Sequence, residues 1–85
     1  MTIRIESLSD GDQTLLQVSG DLRKGGVSEL ARVCRETTGP LALDLSDVRF
    51  AGPEGVRLIS MLAARGVRIC GLTPYLEFLL NADRK

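Results

Sequence analysis

Residues 41–66 read LALDLSDVRFAGPEGVRLISMLAARG, and this stretch decides the fold of the 85-residue chain. Its first five residues alternate leucine with other residues, which predicts a strand over residues 41–45 at the centre of a sheet. A helix is predicted over residues 53–65, because Pro53 suits the first helical position and Gly66 suits the cap after the last one. A strand, a turn and a helix in this order are typical of an α/β protein.

The residues that precede this stretch predict a β-hairpin. Residues 2–8 alternate, with Ile3 and Ile5 turned inward and the charged residues between them turned outward. Residues 9–13 carry an Asp-Gly pair that favours a turn, and the run over residues 14–20 predicts a second strand. The two strands are therefore expected to pair in antiparallel fashion.

The segment GDLRKGG ends the alternation of the second strand, and helical periodicity begins after it, at Val27. The first helix should stop near Gly39 and Pro40, which cannot continue it. Downstream, residues 67–72 predict a fourth strand, and Thr73 followed by proline starts a third helix that ends near Asn81. The last residues of the chain, 82–85, are expected to fray.

These elements predict the order β-β-α-β-α-β-α in a single domain over residues 1–85. Strands that are joined by a helix run parallel, so the expected architecture is a mixed four-stranded sheet with the helices packed on one face.

Composition excludes several classes of function. Eleven basic and eleven acidic residues give a formal charge of zero, and the arginines are scattered, which argues against nucleic-acid binding. No apolar run is long enough to span a membrane and no signal peptide is evident, so a soluble, cytoplasmic protein is expected. Cys34 and Cys70 lie among apolar residues and are interpreted as buried, reduced thiols.

The chain also lacks the usual catalytic and metal-binding groups. There is no histidine, and Asp44, Ser46 and Asp47 provide too few ligands for a metal, so a local turn that bonds nearby backbone is predicted there. The turn FAGPEG, residues 50–55, has no nucleophile and no P-loop spacing, and Ser60 lies inside the helix without a base. We expect neither an enzyme nor a cofactor, which leaves a recognition surface.

The sequence resembles the STAS domain, the family of anti-sigma-factor antagonists. The resemblance lies in VSGDL (18–22), LALDLSDVRF (41–50), the Gly-ending turn before an apolar helix, and GLTPYLEFLL (71–80), which together extend over nearly the whole chain. It implies the STAS-like fold and a protein partner, either an anti-sigma factor or a related kinase-like regulator. Family members usually add a further C-terminal strand or helix, which the sequence does not predict here.

One departure from the family pattern concerns regulation. In regulated members the turn reads Asp-Ser-Ser-Gly and the first serine is phosphorylated; here the matching residues are Gly52, Pro53, Glu54 and Gly55. Because Pro53 has no hydroxyl, the resemblance implies no phospho-acceptor at this position. Two interpretations of Glu54 stay open: a permanent substitute for the phosphate charge, or a carboxylate that favours the start of the helix.

The second helix is apolar over a wide arc, so one edge either packs against a neighbouring helix or faces a partner near Leu58 and Met61. Arg57 and Arg65 would form the rim of such a surface, and Arg23 is expected near the turn. The predicted partner-binding residues are Gly52, Pro53, Glu54, Gly55, Arg57, Leu58, Met61 and Arg23. The alternatives are an accessory subunit of an ABC or anion transport assembly, and a homodimer formed through the hairpin edge.

Overall fold

The computed structural model describes residues 3–83, which form four strands and three helices. In chain order these are β1 (Ile3–Asp10), β2 (Gln13–Leu22), α1 (Lys24–Glu36), β3 (Leu41–Ala51), α2 (Pro53–Ala64), β4 (Arg68–Cys70) and α3 (Pro74–Asp83). The predicted order of elements and the α/β fold class are confirmed.

The four strands form one mixed sheet in the order β1-β2-β3-β4. A tight hairpin joins β1 to β2, where Asp10 pairs with Gln13, and the two strands are antiparallel. The β2–β3 and β3–β4 pairs are parallel because α1 and α2 carry the chain back across the sheet. Consequently β3 is an interior strand, as predicted, and the ends of β2 and β3 that precede α1 and α2 lie side by side.

The core lies between the inward face of the sheet and the three helices. Ile3 and Ile5 pack against it from β1 while Arg4 and Glu6 are exposed, as the alternation predicts. The side chains of the core that are fully buried come from β2, β3 and all three helices: Leu16, Val18, Leu22, Leu30, Leu43, Leu45, Ile59 and Leu76.

The start of α1 differs from the sequence prediction. The helix begins at Lys24 rather than Val27, inside the segment that was expected to interrupt it. Gly26 is buried there, and a Cβ at this position would stand 3.0 Å from Ile3 Cδ1 and 3.2 Å from the carbonyl oxygen of Asp21. Glycine in the first turn therefore lets the helix approach the hairpin closely, which periodicity alone does not reveal.

Strand β3 is also longer than predicted, because it continues for six residues beyond Leu45. The register with β2 shifts from Gln17–Asp44 to Ser19–Asp47, so a β-bulge places one extra residue of β3 in this interval. Asp44 Oδ1 accepts hydrogen bonds from the Ser46 backbone N (3.0 Å) and from Ser46 Oγ (2.8 Å). The predicted bond from Asp44 to nearby backbone is present, but inside a bulged strand rather than a turn.

The predicted types of the last two elements, a strand and a helix, are confirmed, but both lengths differ from the prediction. β4 has three residues instead of six, because its ladder with β3 ends at the Asp44–Cys70 pair, where the bulge begins. Thr73 Oγ1 accepts a hydrogen bond from the Leu76 backbone N at 3.2 Å, which confirms the predicted cap of α3. The helix continues through Asp83, past the predicted end, while Arg84 and Lys85 lie outside the described residues.

Candidate protein-interaction site

The turn over residues 50–55 lies where β3 ends and α2 begins, beside the end of β2. Ala51 pairs with Leu22 in the sheet, and the Gly52 backbone N donates a hydrogen bond to the Leu22 carbonyl oxygen at 3.0 Å. Ala51 and Gly52 are buried. The base of the turn is therefore held by the sheet, and only its outer residues reach the surface.

Gly55 fixes how closely α2 approaches the sheet. A Cβ at this position would stand 2.9 Å from Leu22 Cβ and 3.1 Å from the Leu22 carbonyl oxygen, distances that leave no room for a methyl group. At Gly52 a Cβ would meet its nearest neighbours at 3.7–3.8 Å, which is ordinary contact. Of the two glycines in the predicted site, packing requires Gly55 and not Gly52.

The first turn of α2 presents Pro53, Glu54 and Arg57 to solvent. Gly52 is the N-cap residue in extended conformation and provides no side-chain cap, so Pro53 at the first helical position and Glu54 in the first turn favour the start of the helix. The ion pairs found among residues 3–83 include neither Glu54 nor Arg57. Their charges are thus available to a binding partner.

Arg23 lies next to the turn, as predicted from topology. Its guanidinium stacks over the Phe50 ring, with Cζ 4.4 Å from the ring centroid, and its Nε lies 3.5 Å from Asp21 Oδ2. Both Arg23 and Phe50 remain exposed. A cation stacked on an exposed aromatic ring therefore adjoins the first turn of α2.

The sequence analysis missed two aromatic residues of α3. Tyr75 OH accepts a hydrogen bond from the Ala51 backbone N at 3.3 Å, which ties α3 to the base of the turn. Phe78 lies one helical turn further along, and 72% of it is exposed. All three aromatic side chains of the chain, Phe50 included, are thus partly or largely on the surface. No signal in the sequence indicated this placement, because Tyr75 and Phe78 lie in the same apolar run as the buried Leu76.

Leu58 and Met61, which were predicted to form one surface, differ in their exposure to solvent. Leu58 is 7% exposed and belongs to the core, so the expectation that it faces a partner is wrong for the described chain. Met61 is 42% exposed, but it lies eight residues after Pro53, which is roughly 12 Å along a helix. Met61 and Arg65 therefore belong to the opposite end of α2 from the turn.

Outside the turn, Asp44 and Cys34 are among the groups whose pKa departs from its ordinary value. The described residues contain no group of three His, Cys, Asp or Glu side chains arranged to hold a metal ion. The two hydrogen bonds from Ser46 hold the pKa of the Asp44 carboxyl below its ordinary value, whereas burial raises the pKa of the Cys34 thiol. Both cysteines are free and partly buried. Among the helices of residues 3–83, none has the length and apolar character of a membrane span.

Comparisons with known proteins support the architecture. A crystal structure of an anti-sigma-factor antagonist STAS domain from Rhodobacter sphaeroides superposes with a TM-score of 0.65 at 20% sequence identity, covering 82% of this chain and 87% of that one. A crystal structure of the protein Mglu matches with the same TM-score at 26% identity over 81% of this chain, although this chain covers only 19% of Mglu. The sequence matches no protein-family model and no curated protein. The chain has the STAS-like fold.

Proposed function

We propose that this chain is a non-enzymatic protein-interaction module that acts in the manner of an anti-sigma-factor antagonist. Its partner is an anti-sigma factor or a related kinase-like regulator. This partner binds the turn over residues 50–55 and the exposed residues around the turn. The observation that carries the proposal is the exposed pair of Arg23 and Phe50 at the turn that leads into α2, whose residues Pro53 and Arg57 are also exposed. The similarity of fold to an anti-sigma-factor antagonist supports this choice of partner class.

The chemistry of this surface suits protein recognition. Arginine and aromatic side chains are enriched among the residues that contribute most to protein–protein binding, and rigid anchors lose little entropy when they bind. Phe50 is 36% exposed and Arg23 covers one face of its ring, so the two side chains already hold one geometry before a partner arrives.

We further propose that the module has no serine switch at this turn. Gly52, Pro53 and Glu54 offer no hydroxyl, so a kinase partner has no acceptor in the position that the family uses. The complex would then be controlled by the abundance of either protein, or by a change in the partner, rather than by modification of the turn.

Binding measurements with matched variants test the proposal. The purified chain is used to capture proteins from its native cytosol, the partner is identified by mass spectrometry, and its affinity is measured by calorimetry. We expect Arg57→Glu and Phe50→Ala each to weaken binding by about tenfold or more. Arg68→Glu, an exposed arginine of β4, serves as the control and should leave affinity unchanged.

Each other outcome of the capture experiment has a definite meaning. A partner that depends on Arg68 and tolerates changes at Arg57 would show that another surface binds and would contradict the proposal. Capture of a transporter subunit would favour the alternative, an accessory subunit of a transport assembly. We place the interaction in the cytoplasm, and capture from a membrane fraction alone would argue against that location.

The same assay decides the role of Glu54. If its carboxylate imitates a phosphate, Glu54→Gln should change partner affinity, because the charge is the feature that the partner recognises. If it only favours the start of α2, the substitution should lower the free energy of unfolding by about 0.3–1 kcal/mol and leave affinity unchanged. The exposed position of Glu54 in the first helical turn supports the second role.

A further inference from the structure

Helix α3 presents an apolar side chain that the fold does not use. Phe78 is the most exposed large apolar residue of the described chain, at 72%, and the acidic Glu77 lies beside it. No basic residue occurs within Pro74–Asp83. The other acidic residue of α3, Asp83, lies five residues beyond Phe78, so Glu77 provides the carboxylate next to the exposed ring.

A groove of about 530 Å³ separates the C-terminal halves of α1 and α2. Met61 and Leu62 of α2 and Leu41 at the start of β3 provide apolar surface, and Arg35 and Arg65 line the same groove. No acidic residue lines it, and the ion pairs among residues 3–83 include neither arginine. The groove therefore suits an apolar side chain that is accompanied by a carboxylate.

We propose that the groove binds α3 of a second copy of this chain, with Phe78 inserted against Met61 and Leu62 and with Glu77 facing Arg35 and Arg65. The formal charge of the chain is zero, so no net repulsion keeps two copies apart. The acceptor groove lies apart from the proposed binding turn, because Met61 and Arg65 are at the far end of α2, whereas the donor helix α3 also contacts the turn through Tyr75.

The geometry makes this self-association head-to-tail. α3 packs against α2, and the groove lies between α2 and α1, so each copy offers one donor helix and one acceptor groove that are different surfaces. A contact between unlike surfaces leaves a free end on each copy, and it generates rings or open chains rather than stopping necessarily at a dimer.

A second apolar groove, between α2, α3 and β4, is a less suitable acceptor. Its lining includes Ile59, Ser60, Ala64 and Leu80 and contains no charged residue. Burial of Glu77 against such a surface would leave a carboxylate without a partner, which is costly. Charge complementarity therefore selects the groove that contains the two arginines.

Sedimentation velocity over a range of concentrations, from micromolar to millimolar, tests the proposal with three single variants. Phe78→Ser removes the inserted side chain, Met61→Lys fills the groove with a charge, and Ala64→Lys is the control in the other groove. All three positions are exposed, so the variants should keep the fold, which circular dichroism checks. We expect each of the first two to weaken association about thirtyfold and the control to leave it unchanged.

Two further experiments distinguish the head-to-tail arrangement from other interfaces. A mixture of Phe78→Ser and Met61→Lys should form a one-to-one dimer that grows no further, since each variant retains one intact surface. Glu77→Arg should weaken association, and Arg65→Glu in the same chain should restore it. Cys34 lines the acceptor groove, so its alkylation should slow as concentration rises while that of Cys70 does not.

The proposal is overturned if the wild-type chain stays monomeric at millimolar concentration. It is also overturned if Phe78→Ser associates like the wild type, or if Ala64→Lys is the variant that abolishes association. If the chain instead dimerises through the edge of the hairpin, Phe78→Ser should associate as strongly as the wild type, and this result identifies that arrangement.

Discussion

Gly52 and Gly55 lie in the same turn but meet different surroundings. The Cα of Gly55 faces the end of β2 so closely that a side chain would contact Leu22, whereas Gly52 has room for one. The free space at Gly52 means that packing would tolerate a side chain at this position.

This difference gives a prediction for the two glycines. Gly55→Ala should lower the free energy of unfolding by about 1–3 kcal/mol, because its Cβ would overlap Leu22 and force α2 away from the sheet. Gly52→Ala is the matched control and should change it by less than about 0.5 kcal/mol. Urea denaturation measures both, and equal effects would show that the close approach at Gly55 is not a constraint.

At the scale of elements, α2 has two exposed regions separated by a buried side. Its first turn contributes to the candidate interaction site, and Met61 near its end contributes to the groove beside α1. Val56, Leu58, Ile59 and Leu62 are buried between these regions. The wide apolar arc of this helix is explained mainly by packing against the sheet and its neighbouring helices.

Truncation of α2 side chains tests this division. Leu58→Ala should cost about 2–5 kcal/mol of stability, because it leaves a cavity in the core. Met61→Ala, on the exposed side, should cost less than about 0.5 kcal/mol. Thermal unfolding monitored by circular dichroism compares the two, and a larger loss for Met61 would mean that the helix is rotated relative to the structure described here.

The bulge in β3 predicts a pH dependence. Hydrogen bonds from Ser46 lower the pKa of Asp44 in the folded state, so the folded chain favours the ionised carboxylate more than the unfolded chain does. This contribution is present above the unfolded pKa, about 3.9, and is lost as pH falls through the lower folded value. The stabilisation is small because Asp44 is only partly buried, so solvent screens its charge.

Denaturation at several pH values checks this sign. The wild type should lose stability on acidification below about pH 4, and Asp44→Asn should lose less over the same interval. Asp47→Asn, three residues along the same strand, is the control and should behave like the wild type. A steeper acid loss in Asp44→Asn than in the wild type would contradict the bond pattern of the bulge.

At the scale of the whole molecule, a single core joins elements that are far apart in sequence. Leu16 of β2, Leu43 of β3 and Leu76 of α3 are all fully buried in the same cluster. Detachment of a helix would therefore expose core side chains of the other elements to water. Strands β2 and β3 lie inside the sheet, whereas β1 and β4 are its edges. The candidate interaction site depends on this arrangement, since it draws residues from β2, β3, α2 and α3.

The chain should therefore unfold as one cooperative unit. Tyr75 is the only tyrosine and there is no tryptophan, so its fluorescence reports the contact between α3 and the turn, while far-UV circular dichroism reports all helices. The two signals should give coincident denaturation curves. Separate transitions would show that α3 detaches first and would contradict the prediction of a single domain over residues 1–85.

The order and type of the seven elements were accessible from local sequence, because side-chain periodicity, proline and caps such as Thr73 act over a few residues. The same holds for the missing hydroxyl at Pro53. The start of α1, the length of β3 and the burial of Leu58 were not accessible. They depend on the close approach at Gly26, on the β2–β3 register and on neighbouring helices.

Tertiary packing alone decided that Arg23 stacks on Phe50 and that Tyr75 of α3 contacts the base of the turn, although the three residues come from separate segments of the chain. Periodicity states which face of an element is apolar but not which distant surface that face meets. Which residues form the interaction surface is consequently decided by the packing of the whole molecule. The strand and helix that support this surface were predicted from the alternation of residues 41–45 and from the helix signals at Pro53 and Gly66.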